Sequence, residues 1–133
     1  MINDFEKEVD VLYEQAKQLK GLLQCEKKKN NWKLKHKSQV SKLSIQVSHS
    51  TPLSLAMNWY RPEFRYGNEI VGGGKIIRKK GFKYNVTVLK RYAPEHTHNL
   101  IDEIESEFAI IRKKVHLMRE IITNQKRLDA LSL

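Results

Sequence analysis

At 133 residues and 15.7 kDa, with 40% hydrophobic and 30% charged residues, the chain has the size of one soluble domain, not two. No apolar run approaches the roughly 18 to 20 residues of a membrane span, the first apolar stretch lacks a cleavage-site pattern, and the single Cys25 excludes an internal disulfide framework, so a cytoplasmic protein with no membrane partner is expected. The 25 Lys+Arg against 15 Asp+Glu give +10, and all of the excess lies in residues 27–92, where sixteen basic groups meet two acids (+14), against −3 over 1–26 and −1 over 93–133.

Residues 2–26 place Ile2, Phe5, Val9, Leu12, Ala16, Leu19 and Leu23 at alternating steps of three and four, the spacing of one seam along a helix. Asn3 followed by Glu6 resembles a capping box, and Gly21 weakens the last turn. The lysine run from Lys27 is expected to stop this helix. Trp32–Lys37 reads either as an edge strand or as a basic tail.

The period then changes to two. Leu43, Ile45 and Val47 alternate with Ser44, Gln46 and Ser48; Leu53, Leu55, Met57 and Trp59 form a second stripe; Phe82, Tyr84, Val86 and Val88 form a third. Ile76 and Ile77 suit a short extra strand that turns at Lys79–Gly81 into the third. Gly67 to Gly74 reads as a flexible loop.

Pro94 suits a first helical turn, and the acids from Glu95 to Glu107 favour the positive end of a helix dipole. From 94 to 131 the seam runs through Ile101, Ile104, Phe108, Ile111, Val115, Met118 and Ile122. A helix this long outruns the first one, so it predicts an overhanging end or a second chain. Ile104, Phe108, Ile111, Val115, Met118 and Ile122 are the candidate seam for an oligomer or partner. The expected fold class is α+β: an N-terminal helix, a three- to four-stranded antiparallel sheet and a long C-terminal helix, in a single domain over residues 1–133 (helix 2–26, basic sheet 32–92, helix 94–131).

No catalytic constellation stands out. His96 and His98 form the only close histidine pair, without a Cys or acid to complete a metal site. Cys25 beside Lys27–Lys29 reads as a plain helix-end cysteine, and Gly72–Lys75 lacks the spacing of a phosphate-binding P-loop. The expectation is a protein that is not an enzyme and carries no cofactor or metal.

The positive block points instead to a polyanion. Lys27, Lys28, Lys29, Lys33, Lys35, Lys37 and Lys42 form one basic cluster, in which Lys33, Lys35 and Lys37 share a face of any extended stretch; Arg78, Lys79, Lys80 and Lys83 surround a hairpin tip, with Lys75 before it and Lys90 and Arg91 after it. Arg61 and Arg65 combine fork-shaped donors with the aromatic faces of the Trp59–Tyr60 stretch. Trp59 continues the core stripe, which leaves Tyr60, Arg61 and Arg65 as the surface candidates there.

The stretch Asn58-Trp59-Tyr60-Arg61, the basic hairpin ending near Lys83-Tyr84, and Ile104-Glu105-Ser106-Glu107-Phe108-Ala109-Ile110-Ile111-Arg112-Lys113 together resemble the MobI family of integrative conjugative elements and related plasmids. The resemblance spans roughly residues 40–120. It implies an accessory role in conjugation, preparing origin-of-transfer DNA beside a relaxase that does the cutting. Duplex DNA, a relaxase or other conjugation protein, and a second copy of the chain are the expected partners. Two other functions fit the residues: a helical adaptor whose lysines only solubilise it, and a small RNA-binding protein.

Overall fold

The computed structural model describes residues 1–31, 43–61, 64–66, 69–71, 74–76 and 81–131. The heptad-like seam of the first segment forms helix α1, Ile2–Asn31. It begins one residue before Asn3, which therefore sits in the first turn and not at a cap. It also runs five residues beyond the expected end, because lysine is a good helix former and a charge run alone does not break a helix.

Among the described residues five strands follow: β1 (Ser44–Ser48), β2 (Ala56–Arg61), β3 (Phe64–Tyr66), β4 (Glu69–Val71) and β5 (Gly74–Lys75). β1 and β2 form an antiparallel ribbon with Ile45 opposite Trp59 and Val47 opposite Met57. The two-residue β5 joins the other edge of β2, and among the described residues β3 pairs with β4. The expected glycine loop thus contains β4 and the start of β5. The Leu53–Trp59 stripe becomes a strand only from Ala56, since Ser50–Ser54 closes a hydrogen-bonded turn with Ser54 N–H donating to Thr51 C=O at 3.1 Å.

The third expected strand, Phe82–Val88, is not a strand. Gly81, at φ +62°, turns the chain, and Asn85 caps a short helix α2, Val86–Lys90, by accepting the Thr87 N–H at 3.0 Å. A 3₁₀ turn over Glu95–Thr97 leads into α3, His98–Ala130, about 50 Å long for its 33 residues at 1.5 Å each.

Ile45, Met57 and Trp59 point from one face of the ribbon into a core shared with Leu12, Leu23, Leu89, Ile101, Ile104 and Phe108. Gln46 and Ser48 on the opposite face of β1 are exposed, as strand alternation requires. Tyr13 packs edge-on against His49 while Lys27 bonds Ser44, so α1 runs opposite to β1. Trp59 meets Glu105 and the Met57 carbonyl meets Arg112, so α3 runs opposite to β2. The two long helices therefore run in opposite senses on the same sheet face. None of the described helices is long and apolar enough to cross a membrane.

Candidate nucleic-acid interface

The sheet is fastened to α3 by a buried ion pair. Glu105 is fully buried and Arg112, two helical turns on, is 6% exposed. The Arg112 fork donates to both Glu105 oxygens, Nη1 to Oε2 at 2.8 Å and Nη2 to Oε1 at 3.1 Å. The same nitrogens donate to the Phe82 carbonyl at 2.7 Å and the Met57 carbonyl at 2.9 Å. Glu105 accepts two further bonds, from Trp59 Nε1 at 2.9 Å and the Tyr84 N–H at 2.8 Å. Tyr84 in turn reaches Asn58 Oδ1 at 3.3 Å, and Arg112 lies over its ring at 5.0 Å. The carboxylate meets four donors and the two terminal nitrogens of the fork meet four acceptors, while Arg112 Nε is left without a partner among the described residues. This clasp holds the 81–84 segment against β2 and sets which way the neighbouring polar side chains point.

One end of the sheet gathers cations. Strand pairing aligns Ser44, Tyr60 and Lys75 in one row across β1, β2 and β5, with Arg61 next to it opposite Gly74. Lys27 reaches this row from α1, donating from Nζ to Ser44 Oγ at 2.8 Å. Lys20, Gln24, Lys27 and Lys28 line a pocket of about 410 Å³ with Leu23, Ser44, Ile45 and Tyr60. Burial holds the Lys27 ammonium below its ordinary pKa. The Arg61 guanidinium stacks over the Tyr92 ring at 4.4 Å, and its Nε has no hydrogen-bond partner among the described residues. A larger cleft, about 570 Å³ between Leu55–Asn58 and the second half of α3, mixes Arg119 and Arg127 with Glu120.

Of the sequence candidates, Tyr60, Arg61 and Lys75 come together on adjacent strands. Arg65 lies on β3 opposite Ile70. Lys83 and Arg91 are exposed on the chain that leads into and out of α2. Lys90 is bound to Asp102 at 2.8 Å, so its charge is already met. Lys33, Lys35, Lys37, Lys42, Arg78, Lys79 and Lys80 lie outside the described residues, as do Trp32 and Ile77. His98 is hydrogen-bonded to the Lys90 and Ala93 carbonyls, and His116 pairs with Glu120 at 3.0 Å.

The seam residues Ile104, Phe108, Ile111, Val115, Met118 and Ile122 are all buried within the chain's own fold. From Thr123 to Leu131 every residue of α3 is exposed, which makes that stretch an overhang. A different apolar stripe faces outward: Ile110, Leu117, Ile121 and Leu128 are between 46% and 59% exposed.

A family model described as MobI protein matches residues 12–126. The chain belongs to the MobI family. Among curated proteins and among solved structures nothing matches it. Membership associates the chain with mobilisation in conjugative transfer. In this MobI chain the three stretches that carry the family resemblance meet in the clasp: Trp59 from the first, Tyr84 from the second, Glu105 and Arg112 from the third. Tyr60 and Arg61, beside Trp59 on β2, lie outside the clasp. The clasp itself escaped the sequence reading because apolar periodicity counts only apolar residues. Its signal was the spacing of seven between Glu105 and Arg112, each directly after a seam position. Lys20 was likewise legible only through its helical spacing to Lys27 and Lys28, at i, i+7 and i+8.

Proposed function

We propose that this MobI-family protein is a DNA-binding accessory factor of conjugative transfer, which binds origin-of-transfer DNA and helps a relaxase assemble there. The observation that carries this reading is the concentration of charge: residues 27–92 hold +14 of a net +10. Part of it is gathered on the row of Tyr60, Arg61 and Lys75, beside Lys27. A positive surface built on a strand scaffold neutralises phosphates along a duplex, while arginine and tyrosine side chains reach base edges or aromatic faces. In this reading the protein acts by binding, without a catalytic step or cofactor, and does so as a dimer in the cytoplasm. The pairing surface is the exposed α3 stripe, Ile110, Leu117, Ile121 and Leu128, and not the buried seam.

The basic cluster from Arg78 to Lys83 provides the test. Replacing Arg78, Lys79, Lys80 and Lys83 with alanine should weaken duplex binding and flatten the dependence of log affinity on log salt. Each lost phosphate contact removes about 0.9 from the slope, up to about 3.6 for four. An unchanged slope in the quadruple variant would take this cluster out of the interface. Competition between duplex DNA and structured RNA, read in the same assay, distinguishes the two backbones; preference for RNA contradicts the proposal.

A further inference from the structure

The pocket between the second half of α1 and the start of β1 has the chemistry of an oxyanion site. Lys20, Gln24, Lys27 and Lys28 project from one face of α1, and Ser44 and Tyr60 close the pocket from adjacent strands. No Asp or Glu lines it among the described residues. The contrast with Lys17 on the same helix is informative: that ammonium is bound to Glu14 at 2.7 Å and lies over the Tyr13 ring at 4.5 Å. Lys27 by comparison is half-buried and meets a neutral hydroxyl. Burying a cation against a hydroxyl is unfavourable unless an anion arrives to complete the site. Because Ser44 Oγ accepts the Lys27 proton donor, its own O–H is left to donate outward. Three ammonium groups, a serine hydroxyl, a phenol and a carboxamide then converge on one space.

We infer that this pocket seats a backbone phosphate of duplex DNA, with Lys27 and Ser44 at its floor and Lys20, Lys28 and Tyr60 at its rim. The inference rests on the DNA-binding reading above and deepens it, because it adds Lys20 and sets Lys27 and Lys28 on α1 at a defined pocket. It also anchors the row of Tyr60 and Lys75 to the duplex at a defined point. Among the described residues no carboxylate meets the half-buried Lys27 ammonium, and the phosphate supplies that counter-charge.

The test compares four forms of the full chain by salt titration against one duplex, with thermal unfolding measured in parallel. The Lys20→Met, Lys27→Met, Lys28→Met triple variant should lose affinity and flatten the log–log salt slope by about 0.9, the contribution of the one phosphate the pocket seats. Lys27→Met alone should lower affinity while leaving the unfolding midpoint unchanged or higher, because it removes a half-buried charge. Lys17→Met removes one charge from the same helix and should leave the slope unchanged, which separates a seated phosphate from a general loss of net charge. Equal losses in the Lys17 and Lys27 variants, or an unaltered slope in the triple variant, would overturn the pocket while leaving DNA binding intact. A wild-type chain with no duplex affinity at moderate salt would defeat both this inference and the reading it rests on.

Discussion

Replacing Glu105 with alanine is expected to destabilise the fold by about 3–5 kcal/mol, the cost of breaking a buried ion pair from one side. The variant leaves the Arg112 guanidinium, 6% exposed, facing a cavity, and strips acceptors from Trp59 Nε1 and the Tyr84 N–H. A domain of this size has about 5–15 kcal/mol in total, so the variant should sit at the edge of folding. Arg112→Ala should be of similar size, since it abandons the Glu105 carboxylate and the Phe82 and Met57 carbonyls together. The double variant Glu105→Leu, Arg112→Met should lose much less than the sum of its two singles, because no orphaned charge remains. Urea unfolding of the wild type, Glu105→Leu, Arg112→Met and the double forms a closed cycle. Single losses below about 1 kcal/mol, or simple additivity, would contradict the clasp as described.

The second large effect concerns assembly. In the exposed stripe of α3, Ile110, Leu117, Ile121 and Leu128 are separated by steps of seven, four and seven. That order reads the same in both directions. A second α3 laid antiparallel therefore brings Ile110 against Leu128 and Leu117 against Ile121, with Lys114 against Asn124 between them. Four hydrophobic layers broken by two symmetry-related polar layers suit a two-fold pairing of identical helices, in which each pair of residues occurs twice. Light scattering at micromolar concentration should report twice 15.7 kDa for the wild type, and 15.7 kDa for Leu117→Glu with Ile121→Glu. The double variant should keep its helical signal, since both side chains are about half exposed in the single chain. Phe108→Glu, in contrast, should unfold the protein, because Phe108 is fully buried against Trp59. A wild-type mass of 15.7 kDa throughout would remove self-pairing, and capture of a relaxase by that monomer would reassign the stripe.

Both long helices were legible because their apolar steps of three and four survive over many turns. Trp59 was legible as core because it continues an alternating stripe. The Phe82–Val88 segment misled for an identifiable reason. Its side chains alternate, but the Phe82 carbonyl accepts from Arg112 and the Tyr84 N–H donates to Glu105, so two groups needed for a strand ladder are already engaged by α3. Asn85 then caps a helical turn whose buried residue, Leu89, lies off the alternating stripe. Tertiary hydrogen bonds of this kind leave no local mark in the sequence.

The α3 seam, offered by its spacing to an oligomer or partner, is buried in the chain's own fold. Apolar spacing tells that a face is covered, and not whether α1 and the ribbon or a second chain covers it. Charge reads in a similar way. Counting lysines located the positive block, yet only the fold distinguishes Lys90, met by Asp102, from Lys27, which faces a hydroxyl. The sequence candidates Tyr60, Arg61 and Lys75 converge because antiparallel pairing brings β5 back against the end of β2. On α1, Lys27 and Lys28 belonged to the positive block, but Lys20 was missed because residues 1–26 carry a net negative charge.

The central claim is that the positive middle of this MobI-family chain reads DNA at the origin of transfer. The most direct measurement is a salt titration of wild-type binding to two duplexes, the origin-of-transfer region of the protein's own element and a scrambled sequence of equal length. The ratio of affinities at each salt concentration carries the information, since phosphate contacts alone raise both equally. The account predicts a steep salt slope for both duplexes and a clear preference for the native site that persists as salt rises. Equal affinity for the two duplexes, or negligible binding to either at moderate salt, would contradict it.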